Sequence, residues 1–140
     1  IDESYPDKEF LIKTIWAKNS DVYEIYQFGY KASDKQKILH SLVAVIRYPI
    51  NINKCKKKMK EIDDDISIMF PNAKKQDWGK QDMYDVSEGH YFPITFTFKD
   101  TSRVMISCHD WTKKTEIEDN LKISMYSKEF RIYLKKQSVL

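Results

Sequence analysis

An α+β domain, with N-terminal helices packed against a curved antiparallel sheet of about four strands, is the fold this sequence predicts. Three observations carry that reading. Apolar residues recur at three- and four-residue spacings through the first half of the chain, most clearly over 54–70. Past residue 90 they alternate with polar ones, as on a half-buried strand. The two patterns follow one another without interleaving, which argues against a β-α-β order. With 140 residues and no internal repeat or Ser/Gly linker, the chain reads as a single domain over 1–140.

The first segment admits two readings. Phe10, Leu11, Ile15 and Trp16 share one face of a helix, with Asp7 near its start. The same stretch alternates as a strand through Phe10, Ile12, Thr14 and Trp16. Asn19 and Ser20 offer a cap for a second segment carrying an aromatic stripe of Val22, Tyr23, Ile25, Tyr26 and Tyr30, weakened by Gly29. Ser33 and Gln36 have capping-box spacing. Ile38, Leu39, Leu42, Val43, Val45 and Ile46 follow, so this helix is apolar almost all round and buried. Tyr48-Pro49 ends it, because a residue before proline is pushed out of the helical region. A short extended segment then covers 50–53.

The helix over 54–70 has the clearest period: Cys55, Met59, Ile62, Ile66, Met69 and Phe70 form one stripe. Its lysines crowd the start and its acids come later, the order that the helix dipole disfavours. Pro71 ends it. The polar stretch 72–89 is long for a structureless loop, so it is either functional or hides a strand near 83–86. Phe92, Ile94, Phe96 and Phe98 then alternate as one strand, and Val104, Ile106 and Cys108 as its hairpin partner. Leu121, Ile123 and Met125 give a third strand; Phe130, Ile132 and Leu134 give a fourth.

Composition excludes several classes. Hydrophobic residues at 41% and aromatics at 14% are too many for a disordered chain. No apolar run is long enough to span a bilayer. Three Gly leave no glycine-rich phosphate loop, and no nucleophile elbow occurs. Lys+Arg 24 against Asp+Glu 21 leaves +3, too weak for a nucleic-acid partner even with lysines clustered over 54–60. Three histidines, His40, His90 and His109, show no metal-ligand spacing, so neither metal nor other cofactor is expected. His109-Asp110 would suit a general-base pair, but adjacent strand residues face opposite ways. Ile1 at the start, with no leader segment after it, reads as a chain whose signal peptide has been removed, hence periplasmic or secreted. Cys55 and Cys108 then form either one disulfide or two buried thiols.

The segment Ile46-Arg47-Tyr48-Pro49-Ile50, the helix closing at Phe70-Pro71 and the antiparallel strands after it resemble the NTF2-like (cystatin-like) group, over about 34–134. That resemblance implies a sheet curled into a cone around helices, as in small secreted bacterial members. The pocket-lining acid–base pair of the enzymatic members has no counterpart here.

No catalytic set is found, so the expected function is that of a non-enzymatic binding module of the bacterial envelope. Its sharpest form is an inhibitor or immunity-type protein that blocks a toxin or hydrolase. The alternatives are a small-ligand or enzymatic pocket of the same fold, and a periplasmic domain of a secretion or adhesion assembly. The candidate binding residues are Trp78, Asp82, Tyr84, Asp85 and Tyr91 in and beside the polar loop, with the acidic run Glu61, Asp63, Asp64 and Asp65. Aromatic anchors ringed by polar groups suit an interface. The bland alternatives are a tryptophan folded back over the core edge and a solvated helix face.

Overall fold

The structure, a computed structural model, describes residues 2–4, 9–17, 22–49 and 51–138. Asp7, Asn19, Ser20 and Ile50, invoked above as helix-start, caps and linker, lie outside them. Strands β1 (Asp2–Ser4), β2 (Phe10–Trp16), β3 (Ile25–Lys31) and β4 (Leu39–Arg47) come first. Helix α1 (Ile52–Met69) follows, then β5 (Lys74–Asp77), β6 (Gln81–Asp82), β7 (Gly89–Thr97), β8 (Arg103–Trp111), β9 (Asn120–Tyr126) and helix α2 (Lys128–Ser138). The strands make one antiparallel sheet in the order β1-β2-β3-β4-β9-β8-β7-β5, with β6 also pairing on β7.

This overturns the expected fold. The described residues are mostly β, with a nine-stranded sheet and two helices, the second following the last strand. N-terminal helices on a four-strand sheet, and the NTF2-like cone that the resemblance implied, are not the architecture. Over β4 the reason is burial from both sides. Val43 and Ala44 point to opposite faces and both are buried, so the strand reads as one continuous apolar run and imitates a buried helix. In β3 the alternating set is Tyr26, Phe28 and Tyr30, with Tyr26 and Phe28 stacked at 6.3 Å. The capping-box pair lies in the turn between β3 and β4. There the Asp34 carboxylate accepts the Gln36 and Ile38 amides, both at 2.9 Å, and starts the turn instead. For β2, the alternating reading is the one that holds.

The expected fourth strand is α2. Phe130, Tyr133 and Leu134 share a helical face, and the Ser127 hydroxyl accepts the Phe130 amide at 3.1 Å as an N-cap. Glu129 in its first turn and Lys135 and Lys136 in its last suit the helix dipole. In α1, Asn51 accepts the Lys54 amide at 3.1 Å.

The two helices lie on opposite faces of the sheet. Cys55 and Ile66 of α1 pack on Ile94, Phe96, Val104, Ile106, Cys108 and Leu121. A Cys55–Cys108 disulfide, S–S 2.03 Å, joins α1 to β8 inside this core. On the other face Phe130 and Tyr133 close over Phe10. Phe10 and Ile106 alternate onto different faces by register, so each face has its own core.

Gly29 sits where β3 and β4 press together at an irregularity in their register. A Cβ there would lie 2.9 Å from the Ser41 Cβ and 3.0 Å from the Ile12 Cδ1. Gly29→Ala is therefore expected to lower stability by about 2 kcal/mol through overpacking. Urea unfolding measures it; an unchanged midpoint would show that the strands part freely.

Candidate functional site

Exposed apolar side chains occur at several places, Trp16, Val86 and Ile117 among them, and one set lines grooves at one end of the sheet. Helix α1 ends at Met69, and Phe70 turns to meet Phe98 edge-on at 5.2 Å. Phe98 and Ser102 then line two adjoining grooves. One, of about 330 Å³, runs over Leu39, His40, Leu42, Arg103, Val104, Met125 and Tyr126. The other, of about 550 Å³, runs over Met69, Phe70, Pro71 and Ala73. Leu39 is 52% exposed, Met69 61%, Phe70 40% and Met125 44%. Methionine and aromatic side chains held open in a contiguous strip suit contact with a partner, because they offer large apolar area and adjust their shape.

Sequence reading missed this strip. It placed Met69 and Phe70 in the buried stripe of α1 and Met125 inside a strand. The period buries Cys55 and Ile66, but Met69 at the helix end and Phe70 at its cap lie past the core and stay exposed.

The residues picked from sequence are dispersed. The 72–89 stretch is built from β5 and β6, which pair along the outer edge of β7, and a 3₁₀ turn over Val86–Glu88. Trp78 folds back on the sheet: its amide donates to the Pro93 carbonyl at 3.1 Å and its indole to the Thr95 hydroxyl at 3.0 Å. Tyr91 lies on that same face of β7, 5.6 Å from the His109 ring. Asp82 pairs with His90 at 2.9 Å. Asp85 accepts the Ser87 amide, and hydrogen bonds from Ser87 hold its carboxyl below the usual range. Tyr84 projects fully into solvent.

The acidic run of α1 is divided. Asp63 is buried and takes Lys75 of β5 at 2.5 Å, tying the helix to the sheet edge. Glu61 pairs with Lys58, and Asp64 with Lys60, on the exposed side. Asp65 stands in solvent.

On the face of the sheet away from α1, the Ser107 hydroxyl and His109 Nε2 are 2.8 Å apart. Burial, and then the Lys122 charge, lower the His109 pKa to about 4, so the ring is neutral. Ser107 is fully buried, and no carboxylate orients His109 among the described residues. A serine sealed from substrate cannot act as a nucleophile, however short its bond to histidine. Asp110 points to the opposite face, as alternation requires. Nearby, the Asp119 carboxylate accepts the Trp111 amide at 2.9 Å while burial raises its pKa. Among the described residues no group of histidine, cysteine and acidic side chains converges as a metal site.

Fold and site together define a mostly β, disulfide-bridged domain with an open apolar groove at one sheet end. No protein-family model matches the sequence, and no curated protein is similar to it. Among solved structures, the solution structure of cyanobacterial PsbP (CyanoP) from Synechocystis sp. PCC 6803 is similar at 10% identity and a TM-score of 0.43, over 98% of this chain and 85% of that one. Nothing in these comparisons returns the NTF2-like group.

Proposed function

We propose that this chain is a non-enzymatic module that binds a protein partner in an oxidising compartment outside the cytoplasm. The observation that supports it most is the open strip of Leu39, Met69, Phe70 and Met125 around Phe98. Apolar side chains exposed this close together cost solvation unless a partner covers them. The Cys55–Cys108 bridge supports the compartment, because such bonds persist where thiols are not kept reduced. Among the described residues no helix is long and apolar enough to cross a membrane. The buried Ser107 supports a role without chemistry. Occlusion of the partner, as an inhibitor or immunity-type protein works, is the mode of action we assign.

Photo-crosslinking amino acids placed at Leu39, Met69 and Tyr84 test the site. The same protein is expected to be trapped from Leu39 and Met69 in an extract of the source cells, and not from Tyr84. A partner trapped from Tyr84 alone, or from none of the three, would refute the assignment.

A further inference from the structure

We propose that the docking segment of the partner carries an internal aspartate or glutamate flanked by apolar residues, and that Arg103 and Arg131 receive its carboxylate. This rests on the protein-binding reading above and names the chemistry of the partner.

Arg103 opens β8, between Thr97 of β7 and Tyr126 of β9, and lines the groove beside Phe98. Its Nε is buried and makes no hydrogen bond. Arg131 of α2 reaches the same corner, where its Nη1 donates to the Thr101 carbonyl in the β7–β8 turn. Burial, and then the positive charge of Arg103, lower the basicity of Arg131, which is what two facing guanidinium groups do to one another. No carboxylate among the described residues pairs with either arginine. Glu129 is held by Lys31, and Asp100 by the amide and hydroxyl of Ser102.

A buried guanidinium donor left unsatisfied is costly, and two like charges brought together add to the cost. An incoming carboxylate removes both penalties, since the planar fork of arginine matches its two oxygens. The groove that Arg103 lines has apolar walls, with Leu39 and Leu42 on β4 and Phe98 and Val104 on the β7–β8 hairpin; past Phe98 the adjoining groove carries Phe70 beside Lys99 and Asp100. The acid therefore belongs inside the segment, with apolar residues before and after it.

A random library of 12-residue peptides displayed on phage, selected on the intact oxidised chain, tests this. Selected peptides are expected to share an aspartate or glutamate between apolar residues. Their affinity by fluorescence anisotropy is expected to fall at least tenfold with Arg103→Met, and equally when the peptide acid is changed to its amide. The two changes together are expected to cost no more than either alone. Arg103→Lys, which keeps the charge but loses the fork, is expected to fall between; with Arg131→Met it carries the test if Arg103→Met does not fold. Peptides that lose affinity with Phe70→Ser yet carry no acid, or bind Arg103→Met unchanged, would overturn this inference while leaving the protein-binding reading in place. Peptides indifferent to Phe70→Ser and Met125→Ser would overturn both.

Discussion

Replacing Cys55 and Cys108 together by alanine is expected to cost about 4 kcal/mol of stability. The bridge joins residues 53 apart in sequence, and closing a loop of that size removes much of the freedom of the unfolded chain. Both sulfurs also lie in the fully buried core between α1 and β8. In a domain of this size the loss corresponds to a fall of roughly 10–20 °C in Tm. Urea unfolding of the oxidised wild type and the double variant measures it. A difference under about 1 kcal/mol would mean that α1 is held by its apolar stripe alone.

Acidification is expected to weaken the fold through His109. In the folded chain its pKa is lowered from 6.5 to about 4. Between those values the unfolded chain binds a proton that the folded chain refuses. Stability therefore falls as pH drops through that window and loses nothing more from this group below it. The gap corresponds to about 3 kcal/mol. His109→Gln keeps a polar neighbour for Ser107 and is expected to flatten the profile between pH 6.5 and about 4 relative to wild type. Carboxylates such as Asp85 and Glu129, whose pKa values are lowered, titrate identically in both proteins, so the difference isolates the imidazole. Parallel profiles would place His109 in contact with water.

How far the fold was legible depended on whether one face or two were apolar. Helix α1 has polar residues on one side and shows its period plainly. The β7–β8 hairpin shows its alternation because Phe96, Val104 and Ile106 are apolar while Thr95, Thr97, Arg103 and Ser107 on the other face are polar, even where Thr95 and Ser107 are buried. Strand β4 hides its alternation because Val43 and Ala44 are both buried. Helix α2 was misread because Phe130, Ile132 and Leu134 alternate by accident; the Ser127 cap and the Phe130–Tyr133 spacing were the better signals.

The site was less legible still. Trp78 stood out in a polar stretch, yet its indole bonds to Thr95 across strands that the sequence does not announce. Asp63 is grouped with its acidic neighbours, although a single residue step around the helix separates it, buried and paired with Lys75, from the solvated Asp64. Arg103 and Arg131 are far apart in sequence, and only the pairing of β8 with β9, followed directly by α2, brings them to one corner.

The central claim is that a partner docks on the sheet-end strip. Its most direct measurement is the affinity of the crosslinked partner for Met69→Ser with Met125→Ser, set beside Tyr84→Ser. At least a tenfold loss is expected for the first pair of changes and none for Tyr84→Ser. Undiminished binding by the Met69 and Met125 variant, with loss at Tyr84, would contradict it.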